Sequence, residues 1–365
     1  MAVIAAAIWF LAHNTLENMR VRGIQSGFGF LAQPAGFDIG ESAFAFDSGE
    51  PYWKAFLVGL SNTLRAALVG IVLTTILGTL IGIGRLSRNF LVRGLCTGYV
   101  ELFRNIPVLI QLLMWYTVLN GDWLPPASEA LHPLPGIFLS KSGMSFPVPE
   151  WEQGHGVSLA GFAIGIVVAW LYRRWASSAF EKTGVARPMV WPALLIACAG
   201  ALLGWLAGGA PTALEMPVRN DLNVSGGGAV TPEFLAVTLG LTIYTASFVA
   251  EIVRSGIQSV SWGQTEAAGA LGLSRAQALK LVLLPQALRV IIPPLTNQYL
   301  NLTKNSSLEV AVGYPDLVSI SNTTLNQTGR AVECITILMA VYLTLSLVTA
   351  ALMNWYNARS AIKER

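Results

Sequence analysis

Long apolar runs alternate with short polar stretches along the chain. The clearest apolar runs are residues 55–84, 94–120, 157–172, 189–209, 231–256, 290–303 and 332–355. An α-helix rises about 1.5 Å per residue, so about 20 apolar residues are needed to cross a bilayer. The runs at 157–172 and 290–303 are short and must borrow flanking residues. A further short run, residues 1–13, predicts the second half of a first span, which gives eight predicted spans.

The composition also indicates an integral membrane protein. Of the 365 residues, 53% are hydrophobic and only 12% are charged, whereas soluble domains carry about 25% charged residues. The net charge of +3 is too small to indicate nucleic-acid binding. Cys96, Cys198 and Cys334 are far apart in apolar stretches, so we predict no disulfide framework and no metal site. The Pro- and Gly-rich stretches 123–149 and 211–231 are predicted to be irregular outer connections.

Lysine and arginine are concentrated in every second loop, and this bias predicts the orientation of the spans. With the N-terminus inside, the predicted cytoplasmic segments hold Arg85, Arg88, Arg93, Arg173, Arg174, Lys182, Arg187, Arg254, Arg275, Lys280, Arg289, Arg359, Lys363 and Arg365. The predicted outer loops are mainly acidic, with Arg20, Arg22, Lys54, Lys141, Arg219 and Arg330 as exceptions. An even number of spans then places the C-terminus in the cytoplasm.

The segment from residue 259 to residue 285 resembles neither a membrane span nor an ordinary loop. Two capping boxes, Ser261 with Gln264 and Ser274 with Gln277, predict the starts of two short helices. Gly272 is expected to end the first helix, and Pro285 to end or kink the second. On spacing alone, an amphipathic helix that only anchors the loop to the membrane surface remains an alternative.

This segment resembles the EAA loop of binding-protein-dependent ABC importer permeases. That pattern is Glu-Ala-Ala, three residues, Gly, nine residues, then an aliphatic residue, any residue, Leu and Pro. The matching residues are Glu266, Ala267, Ala268, Gly272, Val282, Leu284 and Pro285. The resemblance implies that they form a coupling helix that docks into a groove of the ATPase subunit.

Flanking sequences are similar to those of the polar amino-acid uptake permeases. The similar stretches are residues 101–113, 242–260 and 293–308, and the resemblance covers roughly residues 56–120 and 231–355. Two extra predicted spans between residues 121 and 230 resemble the long subgroup of general L-amino-acid and glutamate/glutamine/aspartate/asparagine permeases. The resemblance implies an all-α integral membrane protein with the type I ABC importer transmembrane fold, about eight spans and a cytoplasmic EAA coupling loop.

The resemblance implies partners and a location as well. The expected partners are a cytoplasmic ABC ATPase dimer, a second permease subunit that is a different chain, and a periplasmic amino-acid-binding protein, all at the bacterial inner membrane. The sequence has no Gly-x4-Gly-Lys-Ser/Thr phosphate-binding motif. We therefore expect this chain to bind no cofactor and to be no enzyme, with ATP and magnesium used by the partner ATPase.

Five segments are predicted along the chain. Residues 1–54 hold a partial first span and an outer segment, and residues 55–120 form the first part of the permease core. Residues 121–230 form an inserted loop and two extra spans. Residues 231–357 form the second part of the core, which includes the EAA loop at 259–285, and residues 358–365 form a cytoplasmic tail.

Polar residues inside the spans are candidates for a transport path, because they are unfavourable in hydrocarbon. The densest set lies in the span after the EAA loop, where Asn297 and Asn301 share a helix face and Thr296 lies beside them. Hydrogen bonding between helices is the alternative role. Arg65 is a further candidate because it could pair with a substrate carboxylate, although it could instead extend to the outer headgroups.

Two other functions remain open from the sequence. A stand-alone secondary transporter or channel would need no ATPase, but such proteins usually carry an internal repeat of their spans, and the sequence has none that is visible. A membrane anchor that binds a cytoplasmic partner would not need amide side chains within a span. An ATP-driven importer that carries amino acids is the function the sequence favours.

Overall fold

A computed structural model describes residues 2–21, 23, 26–185 and 187–360 of the chain. The predicted basic positions Arg22, Lys363 and Arg365, and with them most of the predicted tail, lie outside the described residues. The chain forms two compact units. The first comprises residues 1–124, 141–143 and 230–365, and the second comprises residues 125–140 and 144–229. The predicted insertion at 121–230 contains the whole second unit.

Most of the described residues are helical. In chain order the α-helices are α1 (Ala2–Val21), α2 (Tyr52–Gly84), α3 (Phe90–Asn105), α4 (Val108–Asn120), α5 (Gln153–Thr183), α6 (Val190–Ala207), α7 (Pro232–Gln258), α8 (Trp262–Ala270), α9 (Arg275–Ala278), α10 (Leu284–Asn305), α11 (Leu317–Thr328) and α12 (Ala331–Ser360). A π-helical turn, Leu279–Leu283, joins α9 to α10, and a 3-10 segment, Ser306–Val312, follows α10.

Six of the described helical stretches are long and apolar enough to cross a membrane, or seven if a bent pair is counted as one span. The six are Tyr52–Gly84, Gln153–Thr183, Val190–Ala207, Pro232–Gln258, Arg275–Val312 and Ala331–Trp355, and the bent pair is Phe90–Asn105 with Val108–Asn120. These seven correspond to the seven long apolar runs of the sequence. The eighth predicted span, at the N-terminus, corresponds to α1, which is not among them.

The run at residues 94–120 is one place where the sequence pattern misleads, because the chain bends there by 107° instead of continuing as one helix. Proline disfavours helical geometry in the residue before it and lacks an N–H, and Ile106, which precedes Pro107, has extended backbone angles. The bend frees carbonyl groups. Buried Gln111 donates from Nε2 to the oxygens of Phe103 and Ile106, both at 2.9 Å.

Short strands occupy the connections that were predicted to be irregular. They are β1 (Leu131–Leu134), β2 (Ile137–Ser140), β3 (Gly143–Phe146), β4 (Val148–Pro149), β5 (Leu214–Glu215), β6 (Val218–Arg219), β7 (Val224–Ser225) and β8 (Gly228–Val230). One sheet has the order β1-β2-β3-β8, and β4-β5 and β6-β7 form two small pairs. A Pro-Gly turn joins antiparallel β1 and β2, with Leu134 opposite Ile137 and Gly136 at φ +75°.

The core of the first unit depends on close contact between α2 and α7. A Cβ atom at Gly78 would stand 2.6 Å from the Val249 Cβ, and one at Gly82 would stand 2.7 Å from the Ala250 carbonyl oxygen. Small residues let two helix backbones approach in this way. The helix α7 also packs against α10, where Val249 and Val253 of α7 form an apolar cluster with Ala287 and Ile291. The helix α7 is therefore the central element of this unit.

In the second unit, α5 and α6 pack against each other as an antiparallel hairpin. A Cβ at Gly161 would lie 2.4 Å from the Gly200 carbonyl oxygen, and a Cβ at Gly154 would lie 2.3 Å from that of Gly208. The Gly161–Gly165 spacing seen in the sequence thus serves a contact within the chain. The Ser158 hydroxyl adds a hydrogen bond of 3.1 Å to the Ala201 oxygen.

The contact between α2 and α7 can be tested with Gly82→Ala. The added methyl would collide with the backbone of α7, so we expect a loss of stability of about 1–3 kcal/mol, seen as a lower melting temperature in detergent. Gly94→Ala is the matched control, because a Cβ at Gly94 has nothing within 4 Å and alanine favours helix. Equal melting temperatures for the two variants would contradict the described packing.

Candidate functional site

The segment between α7 and α10 begins with a helix that is held against α10. Ser261 occupies the N-cap of α8 but makes no side-chain capping bond, so the first predicted capping box is wrong. Gln264, its predicted partner, instead accepts a hydrogen bond of 2.9 Å at Oε1 from Gln286 Nε2. An amide side chain can satisfy either arrangement, and the tertiary contact is the one that forms.

Gly272 ends α8 in the way that the sequence predicts. Its φ of +76° lies in the left-handed region that favours glycine. The Gly272 N–H donates to the Gly269 oxygen at 2.9 Å, and the Leu273 N–H donates to the Ala268 oxygen at 3.1 Å. These two bonds are those of a Schellman motif. They stop the helix and turn the chain sharply toward α9.

One face of α8 is buried and the other is open. Ala268 is 2% exposed, whereas Glu266 and Ala267 are exposed. The Glu266 carboxylate accepts a hydrogen bond of 3.1 Å from Trp262 Nε1, which holds the carboxylate on the exposed side of α8. Trp262 and Leu271 are 73% and 80% exposed. An exposed apolar patch beside a fixed carboxylate suits the docking of another protein.

The second predicted capping box is confirmed, but the helix that it starts does not end at Pro285. The Ser274 side chain accepts from the Gln277 N–H at 3.4 Å, and Gln277 Oε1 accepts from the Ser274 N–H at 2.9 Å. From there the chain passes through the π turn directly into α10, with half-buried Pro285 in its first turn and Leu284 exposed. Proline is tolerated in the first turn of a helix.

The helix α10 has a buried face and an exposed polar face. Asn297 and Asn301 are exposed on the same side, and neither side chain has a hydrogen bond among the described residues. Thr296 lies on the buried face, where its hydroxyl donates to the Ile292 oxygen at 3.1 Å. The structure therefore groups the two asparagines and separates Thr296 from them.

Lys304, which belongs to the same dense set of polar residues in the sequence, extends the polar face by one turn. It is exposed and forms no ion pair within the described part of the chain. A cavity of about 410 Å³ lies beside it, lined also by Ser307, Tyr342, Leu343 and Ser346. Lys304 follows Asn297 by seven residues, a spacing that places both on one face of a helix. Tyr342, Leu343 and Ser346 belong to α12, so the periodicity of α10 could not predict that they lie beside Lys304.

Arg65 is used within the protein. Its Nη1 is 2.5 Å from Glu41 Oε1, and its guanidinium lies 4.3 Å from the centre of the Phe234 ring. Glu41 is 7% exposed and also accepts from Thr231 Oγ1 at 2.5 Å and from the Thr231 N–H at 3.3 Å. Arg65 therefore has a buried carboxylate within the chain as its partner.

A metal-binding cluster would be a further kind of site on the exposed surfaces of α8 and α10. Among the described residues, no group of three or more His, Cys, Asp or Glu side chains could hold a metal ion.

Comparison with known proteins gives a single family. Residues 70–362 match the family model described as binding-protein-dependent transport system inner membrane component. The chain is 46% identical over 365 residues to the general L-amino acid transport system permease protein AapQ of Rhizobium johnstonii, covering all of this chain and 91% of that protein. It is 40% identical over 393 residues to the glutamate/glutamine/aspartate/asparagine transport system permease protein BztB of Rhodobacter capsulatus. That match covers 99% of this chain and 92% of that protein.

A solved structure is similar in fold. It is described as a crystal structure of an amino acid ABC transporter with histidines, and the match covers 84% of this chain and 95% of that chain. The TM-score is 0.50 with 21% sequence identity, so the likeness concerns the fold alone. The type I ABC importer fold implied by the sequence is confirmed.

The pairing of Arg65 can be tested with Arg65→Leu. Removing one partner of a buried ion pair leaves the Glu41 charge uncompensated, so we expect a loss on the order of 3 kcal/mol, measured as a lower melting temperature in detergent. Lys54→Leu is the control, because its partner Glu50 is 35% exposed whereas Glu41 is 7% exposed, so water can solvate the carboxylate that is left unpaired. An unchanged melting temperature for Arg65→Leu would show that this arginine is free for another role.

Proposed function

The chain belongs to the family of binding-protein-dependent transport system inner membrane components, and from that premise we propose how it works. It is a multi-pass inner-membrane protein and the permease subunit of an ABC importer. Two relatives that match nearly its whole length are named as permeases for amino acids, so amino acids are its proposed substrates. Side chains such as those of Asn297 and Asn301 suit varied zwitterions, because an amide both donates and accepts hydrogen bonds.

The proposal rests on the exposed surface of α8. We infer that this surface, with Glu266, Ala267 and the exposed apolar side chains beside them, docks onto a separate cytoplasmic ATPase dimer. Small side chains allow close approach, and the carboxylate can meet a cation on the partner. The bond between Gln264 and Gln286 joins α8 directly to α10, so a displacement of α8 would be transmitted to α10. ATP and magnesium are used by that partner, and this chain makes and breaks no covalent bond.

The polar face of α10 is the proposed wall of the path. Asn297, Asn301 and Lys304 are exposed on this chain alone, and a lysine facing lipid near the bilayer centre would cost about 2.5–3.5 kcal/mol. A second permease subunit that covers this face would remove the cost and enclose a polar passage. The amides would solvate the ammonium and carboxylate of the solute, and Lys304 would attract the carboxylate.

The basic end of the chain lies in the cytoplasm, as the distribution of arginine and lysine predicts. A periplasmic binding protein delivers the amino acid to the opposite side. A stand-alone transporter or channel is the alternative, and it is disfavoured because the exposed patch on α8 would then have no partner.

ATP coupling can be tested in proteoliposomes that hold the complete importer. Glu266→Lys reverses the charge at the docking surface and should lower ATP-driven uptake about tenfold, since opposed like charges at an interface cost more than 1.4 kcal/mol. Glu266→Gln keeps the shape and should be much milder. Gly272→Val forces a β-branched residue into a left-handed conformation, so α9 should shift and uptake should fall as well.

Two outcomes would contradict the proposal. The first is wild-type uptake by both Glu266→Lys and Gly272→Val with the ATPase still co-purifying. The second is uptake by the wild-type complex that proceeds equally without ATP, which would favour the stand-alone transporter.

A further inference from the structure

The helix α5 is longer than α6, and the hairpin geometry shows where the excess lies. Gly154 meets Gly208, and Gly165 meets Ala197, so the two helices run in antiparallel register from one end to the other. At the far end, the Tyr172 hydroxyl donates to the Pro188 oxygen at 3.1 Å. The helix α6 begins at Val190, level with this bond, whereas α5 continues to Thr183.

This register defines the depth of the extension in a bilayer. The paired stretch from Gly154 to Tyr172 is about 27 Å long at about 1.5 Å per residue, which nearly equals the hydrocarbon thickness of about 30 Å. The last residues of α5, 173–183, then extend about 16 Å beyond the paired stretch. With the paired stretch spanning the hydrocarbon, they reach headgroup depth and beyond, whichever side of the membrane that end faces.

The extension and the connector that follows it are strongly basic. Residues 170–190 contain Arg173, Arg174, Lys182 and Arg187 against a single acid, Glu181. Their net charge of +3 equals the formal net charge of the whole chain. All five charged side chains are exposed. We name this region the hairpin tip.

Two arginines of the hairpin tip are stacked on tryptophan rings. The Arg174 guanidinium lies 4.4 Å from the centre of the Trp170 ring, and that of Arg187 lies 4.5 Å from the Trp175 ring. No carboxylate pairs with either arginine among the residues that the structure describes. Stacking on a ring uses the face of the guanidinium and leaves its in-plane N–H groups free for oxygen acceptors.

We propose that the hairpin tip is a binding site for the phosphate group of anionic phospholipids. Arginine binds phosphate oxygens through paired N–H donors, and two oriented arginines at headgroup depth are placed to bind the lipid phosphate. Trp175 and Phe180 are 52% and 46% exposed, so apolar ring surface lies beside the cations to contact the glycerol and upper acyl chain. Tryptophan and tyrosine are typical of this membrane level.

A lipid fits these features better than a dissolved anion does. A soluble phosphate would use the cations but leave the exposed rings uncovered, whereas a phospholipid covers both. The site lies wholly within the second unit. It therefore depends on membrane insertion of the hairpin and not on which solute the importer carries.

Native mass spectrometry of the complete importer in mild detergent tests the proposal. After delipidation, the complex is titrated with phosphatidylglycerol or with phosphatidylcholine of the same chain length. We expect preferential retention of phosphatidylglycerol, and the double variant Arg174→Gln with Arg187→Gln should weaken that retention about tenfold, because each basic residue near an anionic surface contributes substantially. Retention of phosphatidylcholine should not change, which shows that the hairpin remains folded.

The matched control is Arg88→Gln with Arg93→Gln, which removes two exposed arginines that stack on no described aromatic ring. This control should retain phosphatidylglycerol as the wild type does. Trp175→Leu, which keeps an apolar side chain but removes the ring under Arg187, should give an intermediate loss. Equal retention by the wild type and the Arg174/Arg187 variant would overturn the proposal. So would an equal loss in the Arg88/Arg93 control, or displacement of the lipid by millimolar inorganic phosphate.

Discussion

Hydrocarbon supplies no hydrogen bonds, so a polar side chain within a membrane span needs a partner in the protein. The Thr74 hydroxyl of α2 donates to the Thr242 backbone oxygen of α7 at 3.3 Å. The hydroxyls of Thr75 and Tyr299 meet at 2.8 Å, between α2 and α10. Each of these groups has its partner within the chain. The amides and Lys304 on the polar face of α10 have no such partner among the described residues, which supports the proposal that another molecule covers this face.

The fold was largely predictable where local pattern decides structure. Seven long apolar runs became the seven helical candidates for spans, Gly272 adopted the left-handed conformation, and the Ser274–Gln277 capping box formed. Local pattern failed where a distant residue competed. Gln264 bonds to Gln286 instead of capping α8, and Arg65 pairs with Glu41, 24 residues earlier in the chain. The bend at Pro107 was missed because apolar residues on both sides of the proline made one continuous run.

The candidate site was predictable in part for the same reason. The spacing of Asn297 and Asn301 placed them on one face of a helix, as the structure also does. Thr296 is their neighbour in sequence but lies about 100° away around the helix, and that rotation puts it on the buried face. Tyr342 and Ser346, which line the cavity beside Lys304, come from α12 and could be found only from the fold.

In the assembled importer, we propose, the exposed face of α10 lines an aqueous path. Cysteine accessibility can measure this in a variant that lacks Cys96, Cys198 and Cys334. Single cysteines at Asn297 and Asn301 should react with a water-soluble, charged thiol reagent in membranes that hold the whole complex, and an excess of transported amino acid should slow the reaction. A cysteine at Leu80, 63% exposed on the apolar side of α2, should react only with a lipid-soluble reagent. If the positions on α10 behave as Leu80 does, this face contacts lipid and the account is wrong.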